Sequence, residues 1–386
     1  MVKMKVIRRF FTGVLTLILL TGCWNRIEIN DIAIVSAIGI DLTEDDEIHL
    51  SLQVAVPSKL GSSGPTGGTS DKSTFVISET GSTISEAFSN IQGKLSRTIF
   101  FSQSRIVIIG EALAKKSVSH VIDFQTRYAE PRINSFIMFT KGEAYNVITS
   151  MPKFESITAE EIKELAKLGA SLKIYVRDFL NMLLTDGIEP FAPHLTLKPL
   201  EVNTKNKSEK TLAVNGIAIF KKDKLIGWMS EEDTRGLLWL RNEMEKGVIT
   251  TSVPEDMGGG NISMEITRAI VKTVPILKNQ ELIIDVNIVT ELAVIENDSQ
   301  LNLFDTKVIE DIQTEVNDQI KNRVEMVIDK GQKEYNSDIF GFGHLVYQKY
   351  PKEWNAKYKN NWEEEFAELE VTINSKALIR RIGLIK

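Results

Sequence analysis

The chain is 386 residues long and carries 46 Lys and Arg, 52 Asp and Glu, and a single Cys. Residues 1–22 hold four basic residues and no acidic residue. Without them the chain has 42 basic and 52 acidic residues, and its net charge is −10. An acidic exported chain is a poor candidate for binding nucleic acid or for electrostatic adhesion to anionic lipid, and one cysteine excludes internal disulfides and thiolate metal clusters.

The N-terminus has the layout of a lipoprotein signal peptide. Four positive charges precede an apolar run from Phe10 to Leu20, which at 11 residues is too short to cross a bilayer. The run ends on Leu20-Thr21-Gly22-Cys23, which resembles a lipobox. We predict cleavage between Gly22 and Cys23, followed by S-diacylglycerol and N-acyl modification of Cys23, because stable anchoring takes about two acyl chains. The alternative is an ordinary secretory signal with a chance cysteine.

Residues 24–200 are predicted to form an N-terminal α+β domain. The runs 33–41 and 48–56 form an antiparallel hairpin, and apolar residues at alternate positions of the second run predict a strand with one buried face. A Gly/Ser-rich loop at 58–73 follows. The later segments alternate between strand and helix patterns: strands near 75–77, 105–110 and 133–139, and helices near 84–95, 112–128, 158–168 and 171–185.

Two hinges divide the rest of the chain. The polar segment 201–210 lacks periodicity and is predicted to be the main domain boundary, and Pro254 to Gly260 is the second. Between them, residues 211–256 are predicted to form a small middle α+β domain with a hairpin and a helix near 231–246.

Residues 262–386 are predicted to form a C-terminal α+β domain. Long adjacent strands near 262–273 and 281–295 favour antiparallel pairing, and an apolar stripe from Val308 to Ile328 predicts a core-facing helix. The aromatic residues near the C-terminus are predicted to be core anchors rather than a ligand platform. They are Phe340, Phe342, Trp354, Trp362 and Phe366.

No constellation for catalysis is visible in the sequence. None of the four histidines lies at metal-ligand spacing from another, and neither H-E-x-x-H nor G-x-S-x-G occurs. We therefore predict no catalytic residues, no metal, and no cofactor other than the covalent lipid on Cys23.

Several stretches together resemble the Ger(x)C family, the lipoprotein C subunits of nutrient receptors in spore germination. The similarity runs from Cys23 almost to the C-terminus, and Gln103 stands where the family pattern has a histidine. The matching stretches are Gly22 to Trp24 with Glu28-Ile29, Ala33 to Val35 and Gly39 to Asp41; Ile106 to Glu111 with Asp123-Phe124, Arg127, Glu130 and Arg132; Asn215 to Phe220 with Leu225, Gly227-Trp228, Thr234 to Gly236 and Trp239; and Asp338 to Gly343 with Pro351, Trp354, Trp362 and Phe366.

The resemblance implies an elongated arrangement of about three α+β domains, with mainly antiparallel and mixed sheets flanked by helices, and no known catalytic activity. It also implies a non-catalytic, membrane-anchored subunit that is needed for germination in response to nutrients. The implied partners are integral-membrane A and B subunits. The implied location is the extracytoplasmic face of the spore inner membrane.

Two surfaces are candidates for contacting those partners. The first is the charged set Arg127, Glu130 and Arg132. These residues could instead form an ion pair within the domain. The second is the turn from Asp338 to Gly343, which could present Phe340 and Phe342; its other interpretation is a tight turn that needs glycine for its backbone shape. The competing function is a solute-binding lipoprotein that delivers a small ligand to a transporter, for which two lobes of βαβ units would be expected.

Overall fold

The structure, a computed structural model, describes residues 28–56, 73–128, 130–168, 172–200, 209–279 and 281–383, together with 3–4, 7–8, 10 and 12–13. Its described part holds two sheets flanked by helices, so the predicted multidomain α+β class is confirmed. The strands are β1 Ile32–Leu42, β2 Ile48–Ala55, β3 Thr74–Gly81, β4 Thr98–Phe100, β5 Ile106–Gly110, β6 Phe136–Thr140, β7 Phe191–Leu200, β8 Glu209–Lys221, β9 Lys224–Met229, β10 Val248–Ser252, β11 Asn261–Lys278, β12 Glu281–Asn297 and β13 Glu370–Arg381.

Eleven α-helices are described, some of them very short. They are α1 Ile84–Gln92, α2 Glu111–Lys116, α3 Ser119–Arg127, α4 Ala144–Ile148, α5 Thr158–Lys167, α6 Val176–Leu184, α7 Glu231–Leu240, α8 Thr306–Asp329, α9 Phe342–Lys349, α10 Pro351–Glu353 and α11 Trp362–Ala367. Two π-helical turns, Lys330–Glu334 and Trp354–Tyr358, follow α8 and α10.

The larger sheet has nine strands in the order β3-β2-β1-β5-β6-β7-β8-β9, with β4 beside the start of β1. The hairpin β1–β2 is antiparallel as predicted, whereas β5 and β6 run parallel to β1. Because helices connect the parallel strands, both faces of the sheet centre are covered.

Strand β2 is buried on both faces, so the prediction of one buried face is wrong. Ser51 and Gln53 lie on the face predicted to be polar, yet both are buried. The Gln53 amide replaces its lost water with protein partners: Oε1 accepts from Ser36 Oγ and the Ala159 N–H, and Nε2 donates to the Ile148 carbonyl. These bonds link β1, β2, α4 and α5.

The helix predicted over 112–128 is two helices, α2 and α3. The chain leaves helical geometry at Ser117, and the Val118 N–H donates to the Asp223 carbonyl in the β8–β9 turn. Ser117 and Ser119 donate their hydroxyls to the Asp223 carboxylate. These contacts compete with the helical hydrogen bonds and end α2.

The large sheet continues across the predicted boundary at 201–210. Strands β7 and β8 lie on either side of that segment and pair antiparallel over nine positions, from Phe191–Ile219 to Leu200–Glu209. Strand β9 then pairs with β8. The start of the predicted middle domain therefore completes the sheet of the N-terminal domain, and the three-part division as a whole stays a prediction.

The second sheet has four strands in the order β10-β11-β12-β13. Strands β11 and β12 are antiparallel, as the sequence predicts, and β13 is parallel to β12. Helix α8 covers the sheet with the predicted stripe, in which Val316, Ile320 and Val324 are buried. The two lobes of βαβ units expected of a solute-binding protein are not found among the described residues.

Candidate functional sites

The loop of residues 338–343, here called the Asp338 loop, is built around a buried carboxylate. Asp338 Oδ1 accepts hydrogen bonds from the backbone N–H groups of Gly341 and Phe342, at 2.9 and 3.1 Å. Its Oδ2 accepts from the Gly343 N–H at 2.8 Å and from Trp362 Nε1–H at 3.0 Å. Burial raises the pKa of Asp338 to about 6, and the four donors act in the opposite direction.

Glycines allow the Asp338 loop to approach the larger sheet closely. Gly341 has a φ of +75°, and a Cβ on Gly343 would lie 2.7 Å from the Gly187 Cα. Across this contact the Glu189 N–H donates to the Asp338 carbonyl, and the His344 N–H donates to the Gly187 carbonyl. The loop therefore joins the C-terminal helices to the segment that leads into β7.

Further bonds reinforce the contact between the two parts of the molecule. Ser337 Oγ donates to the Phe220 carbonyl in β8, and Lys330 Nζ lies 2.7 Å from the buried carboxylate of Asp233 in α7. Burial raises the pKa of Asp233, but the bonds from Lys330 and Ser230 outweigh it, so that pKa is lowered overall.

Phe340 and Phe342 do not form a contact surface, so that prediction is corrected. Both side chains are buried, and their rings stack on each other with centroids 5.1 Å apart, next to Phe366. The carboxylate of Asp338 turns the loop inward, so its aromatic residues enter the core. The other interpretation, a tight turn that needs its glycines, describes what the structure shows.

The three charged candidates lie near one another along the chain but do not form one ion-pair cluster. Arg127, at the end of α3, pairs with Asp123 one turn earlier at 2.7 Å, and both side chains are exposed. Glu130 acts on Tyr128, whose pKa is raised by burial and by that carboxylate. Arg132 is exposed and lies at an open cavity. Their role in binding a partner stays a prediction.

That cavity has a volume of about 670 Å³ and opens where β5 and β6 begin. Gln125 on α3 lines it with a side chain only 1% exposed, and neither amide atom has a hydrogen-bond partner in the described part of the chain. The buried Ser104 Oγ is also unpartnered there. No sequence pattern marks this site, because Gln125 falls on the apolar stripe of a helix without any motif.

The described residues hold no group of three or more His, Cys, Asp or Glu that could bind a metal ion. His194 is a core residue, whose Nδ1 lies 3.0 Å from the Asn215 carbonyl and whose ring packs against Trp228. Burial lowers the pKa of His194, because the charged ring would lose its contact with water.

The predicted cleavage site and lipidation site, Gly22 and Cys23, lie outside the described residues. Within the described ranges, no helix combines the length and apolar character that a membrane span requires.

Comparison with models of known protein families shows which family the chain belongs to. Residues 25–197 match the family model described as the spore germination protein N-terminal domain. Residues 215–383 match the model described as spore germination B3/GerAC-like, C-terminal. The chain belongs to the Ger(x)C family. The resemblance inferred from the sequence is therefore confirmed.

Relatives and a solved structure of the Ger(x)C family cover nearly the whole chain. The YfkR protein of Bacillus subtilis (strain 168) is 32% identical over 99% of this chain and 98% of its own length. Spore germination protein KC of the same strain is 29% identical over 96% and 94%. The crystal structure of the GerBC protein superposes with a TM-score of 0.57 at 21% identity, over 89% of this chain and 96% of GerBC, which shows a shared fold.

Proposed function

We propose that this Ger(x)C protein is a non-catalytic, lipid-anchored subunit of a nutrient germinant receptor, needed for spore germination in response to nutrients. Relatives with spore germination names support the role in germination. The observation that carries the anchored form is the lipobox-like sequence ending at Cys23, which directly precedes the first family domain at residue 25. Two acyl chains at Cys23 would give stable attachment.

The proposed partners are the integral-membrane A and B subunits, and the proposed location is the extracytoplasmic face of the spore inner membrane. A lipid at Cys23 would place the family domains beside those subunits. The chain would then act by contact with its partners and would catalyse no reaction.

Replacing Cys23 with Ala tests the anchor. The variant is expected to lack lipid by mass spectrometry, to leave the membrane fraction, and to abolish the nutrient response of spores that carry it as their only copy. Glu44→Ala, in the exposed turn after β1, is the matched control and should retain all three properties. Survival of both membrane association and nutrient response in Cys23→Ala would refute anchoring as the mode of action.

We also propose that the exposed charges of Arg127, Glu130 and Arg132 contact a partner subunit. Arg127→Glu reverses the charge beside Asp123 and should reduce recovery of partner subunits when the complex is purified from membranes. Lys333→Glu is the control, because Lys333 forms the same kind of exposed pair with Asp329, one turn earlier. Equal recovery with both variants, each shown to be folded by circular dichroism, would exclude this surface.

A solute-binding lipoprotein that delivers a small ligand to a transporter is the second candidate. The cavity beside Arg132 favours it, because the Gln125 amide, which has no partner among the described residues, offers both donors and an acceptor to a polar ligand. Calorimetry of the mature chain against amino acids and sugars tests it, with Gln125→Leu as the comparison. Micromolar binding that this substitution removes would support solute binding. If no ligand binds, the solute-binding function is excluded and the receptor-subunit function is the one that stands.

A further inference from the structure

One end of the larger sheet is the end at which its first strand, β1, begins. Ile34 pairs with Ala55, and Ala55 pairs with Thr74, so the start of β1, the end of β2 and the start of β3 lie side by side. We call this the proximal end. Cys23 lies five residues before Glu28, a distance of at most about 18 Å for an extended chain.

The loop of residues 150–157, here called the proximal loop, lies at the same end. Ser73, which precedes β3, donates its hydroxyl to the Ser156 carbonyl, and Thr158 Oγ1 donates to the Ser150 carbonyl. The buried carboxylate of Glu161 accepts the backbone N–H groups of Lys153 and Phe154. The proximal loop is therefore held in a defined conformation by α5 and β3.

This loop exposes large apolar side chains to solvent. Phe154 is 96% exposed and Met151 is 66% exposed, and at the same end Ile29 is 59% and Phe75 is 42% exposed. Exposed apolar groups that cluster on one side of a protein mark protein or membrane contacts. Lys153 and Glu155 flank Phe154 with opposite charges, so a contact made here is apolar rather than electrostatic.

The opposite end of the same hairpin has the reverse character. The β1–β2 turn carries Glu44, Asp45, Asp46 and Glu47, and β1 separates it from the proximal end by about 30 Å. An acidic turn is repelled by an anionic lipid surface. Exposed apolar side chains therefore lie at the end of the sheet where β1 begins, and the acidic turn lies at the other end of β1.

We propose that the proximal loop contacts the lipid bilayer, with Phe154 and Met151 inserted at the level of the head groups. The inference rests on the proposed anchor at Cys23, which brings this end within reach of the membrane. Apolar side chains of a peripheral protein enter the boundary between head groups and acyl chains. The loop and the anchor then give two points of attachment, which fix the orientation of the large sheet on the membrane.

The single cysteine makes a direct test possible. In the lipidated mature chain the Cys23 sulfur is blocked, so Phe154→Cys introduces the only thiol that can carry an environment-sensitive fluorophore. Phe304→Cys is the matched control, because Phe304 is also exposed, at 62%, but lies in the segment before α8. On vesicles of phosphatidylcholine and phosphatidylglycerol, quenching by brominated lipid should be at least about threefold stronger at position 154 than at position 304.

A second experiment tests the contact between the proximal loop and the bilayer independently of lipidation at Cys23. The mature chain with Cys23→Ser and an N-terminal histidine tag is held on nickel-chelating lipid, and the same two labelled positions are compared. Stronger quenching at 154 supports the proposal even when Cys23 proves not to be lipidated. Equal quenching on vesicles to which the protein is bound overturns it. Shielding of position 154 only in the complex with partner subunits also overturns it and assigns the loop to a protein contact.

Discussion

Asp338 shows how one buried acid organises a loop. Its two oxygens accept four hydrogen bonds, three from the loop backbone and one from Trp362. Removing a carboxylate from water is costly, and the bonds offset part of that cost. The side chain therefore fixes the loop conformation that buries Phe340 and Phe342.

Replacing Asp338 with Asn should destabilise the protein by about 2 kcal/mol at pH 7, where the carboxyl group is ionised. An amide has one acceptor oxygen, so one pair of donors would face an NH₂ group. The measurement is chemical denaturation followed by tryptophan fluorescence, with Asp298→Asn, at an exposed position after β12, as control. Unchanged stability of Asp338→Asn would show that the four bonds do not hold the loop.

The difference in the free energy of unfolding between wild type and Asp338→Asn should change with pH in a defined direction. The folded-state pKa of Asp338 is about 6 against an ordinary value of 3.8, so the folded chain binds the extra proton between those values. The contribution of Asp338 to stability is then largest below pH 4 and is lost as the pH rises through 6, by about 3 kcal/mol. The difference in the free energy of unfolding between wild type and Asp338→Asn should become smaller from pH 4 to pH 7. A widening gap would show that the four donors outweigh the cost of burial.

At the level of elements, the sequence predicted the strongly periodic segments well. Strands β11 and β12 and helix α8 carry long apolar patterns, and the structure has all three. Strand β7 is not among the strands predicted from the sequence, and Pro193 and Pro199 are residues that disfavour a strand. The structure accommodates Pro193 beside a register shift, opposite Ile217. The break in the helix over 112–128 was also missed, because its cause is the distant Asp223.

The Asp338 loop depends on close packing of two glycines, which Gly343→Ala tests. The new Cβ would lie 2.6 Å from Trp362 and 2.7 Å from Gly187, so the C-terminal helices must move away from β7. We expect a loss of about 2–3 kcal/mol, seen as a lower midpoint of thermal unfolding. Gly93→Ala is the control, because Gly93 has αR geometry and its Cβ would meet only ordinary contacts at 3.6 Å. Equal midpoints for the two variants would contradict the close-packing argument.

At the scale of the whole molecule, composition indicated where polar segments lie but not what they connect. The segment 201–210 was predicted to be a domain boundary because it is polar and aperiodic. Hydrogen bonding between β7 and β8 is a long-range property that such a segment cannot reveal. The Gln125 cavity is likewise made by residues distant in sequence, from the segment before β5, α3, the segment that leads into β6, α5 and the residue before α6.

Cutting the chain between β7 and β8 tests whether the sheet crosses that segment. A specific protease site placed between residues 204 and 205 should give two fragments that elute together from a sizing column. Nine paired positions between β7 and β8, together with the Asp338 loop against Gly187, hold the halves without a peptide bond. The fragments should separate in denaturant, which confirms that cleavage was complete. Separation in buffer alone would mean that 201–210 divides two independent domains.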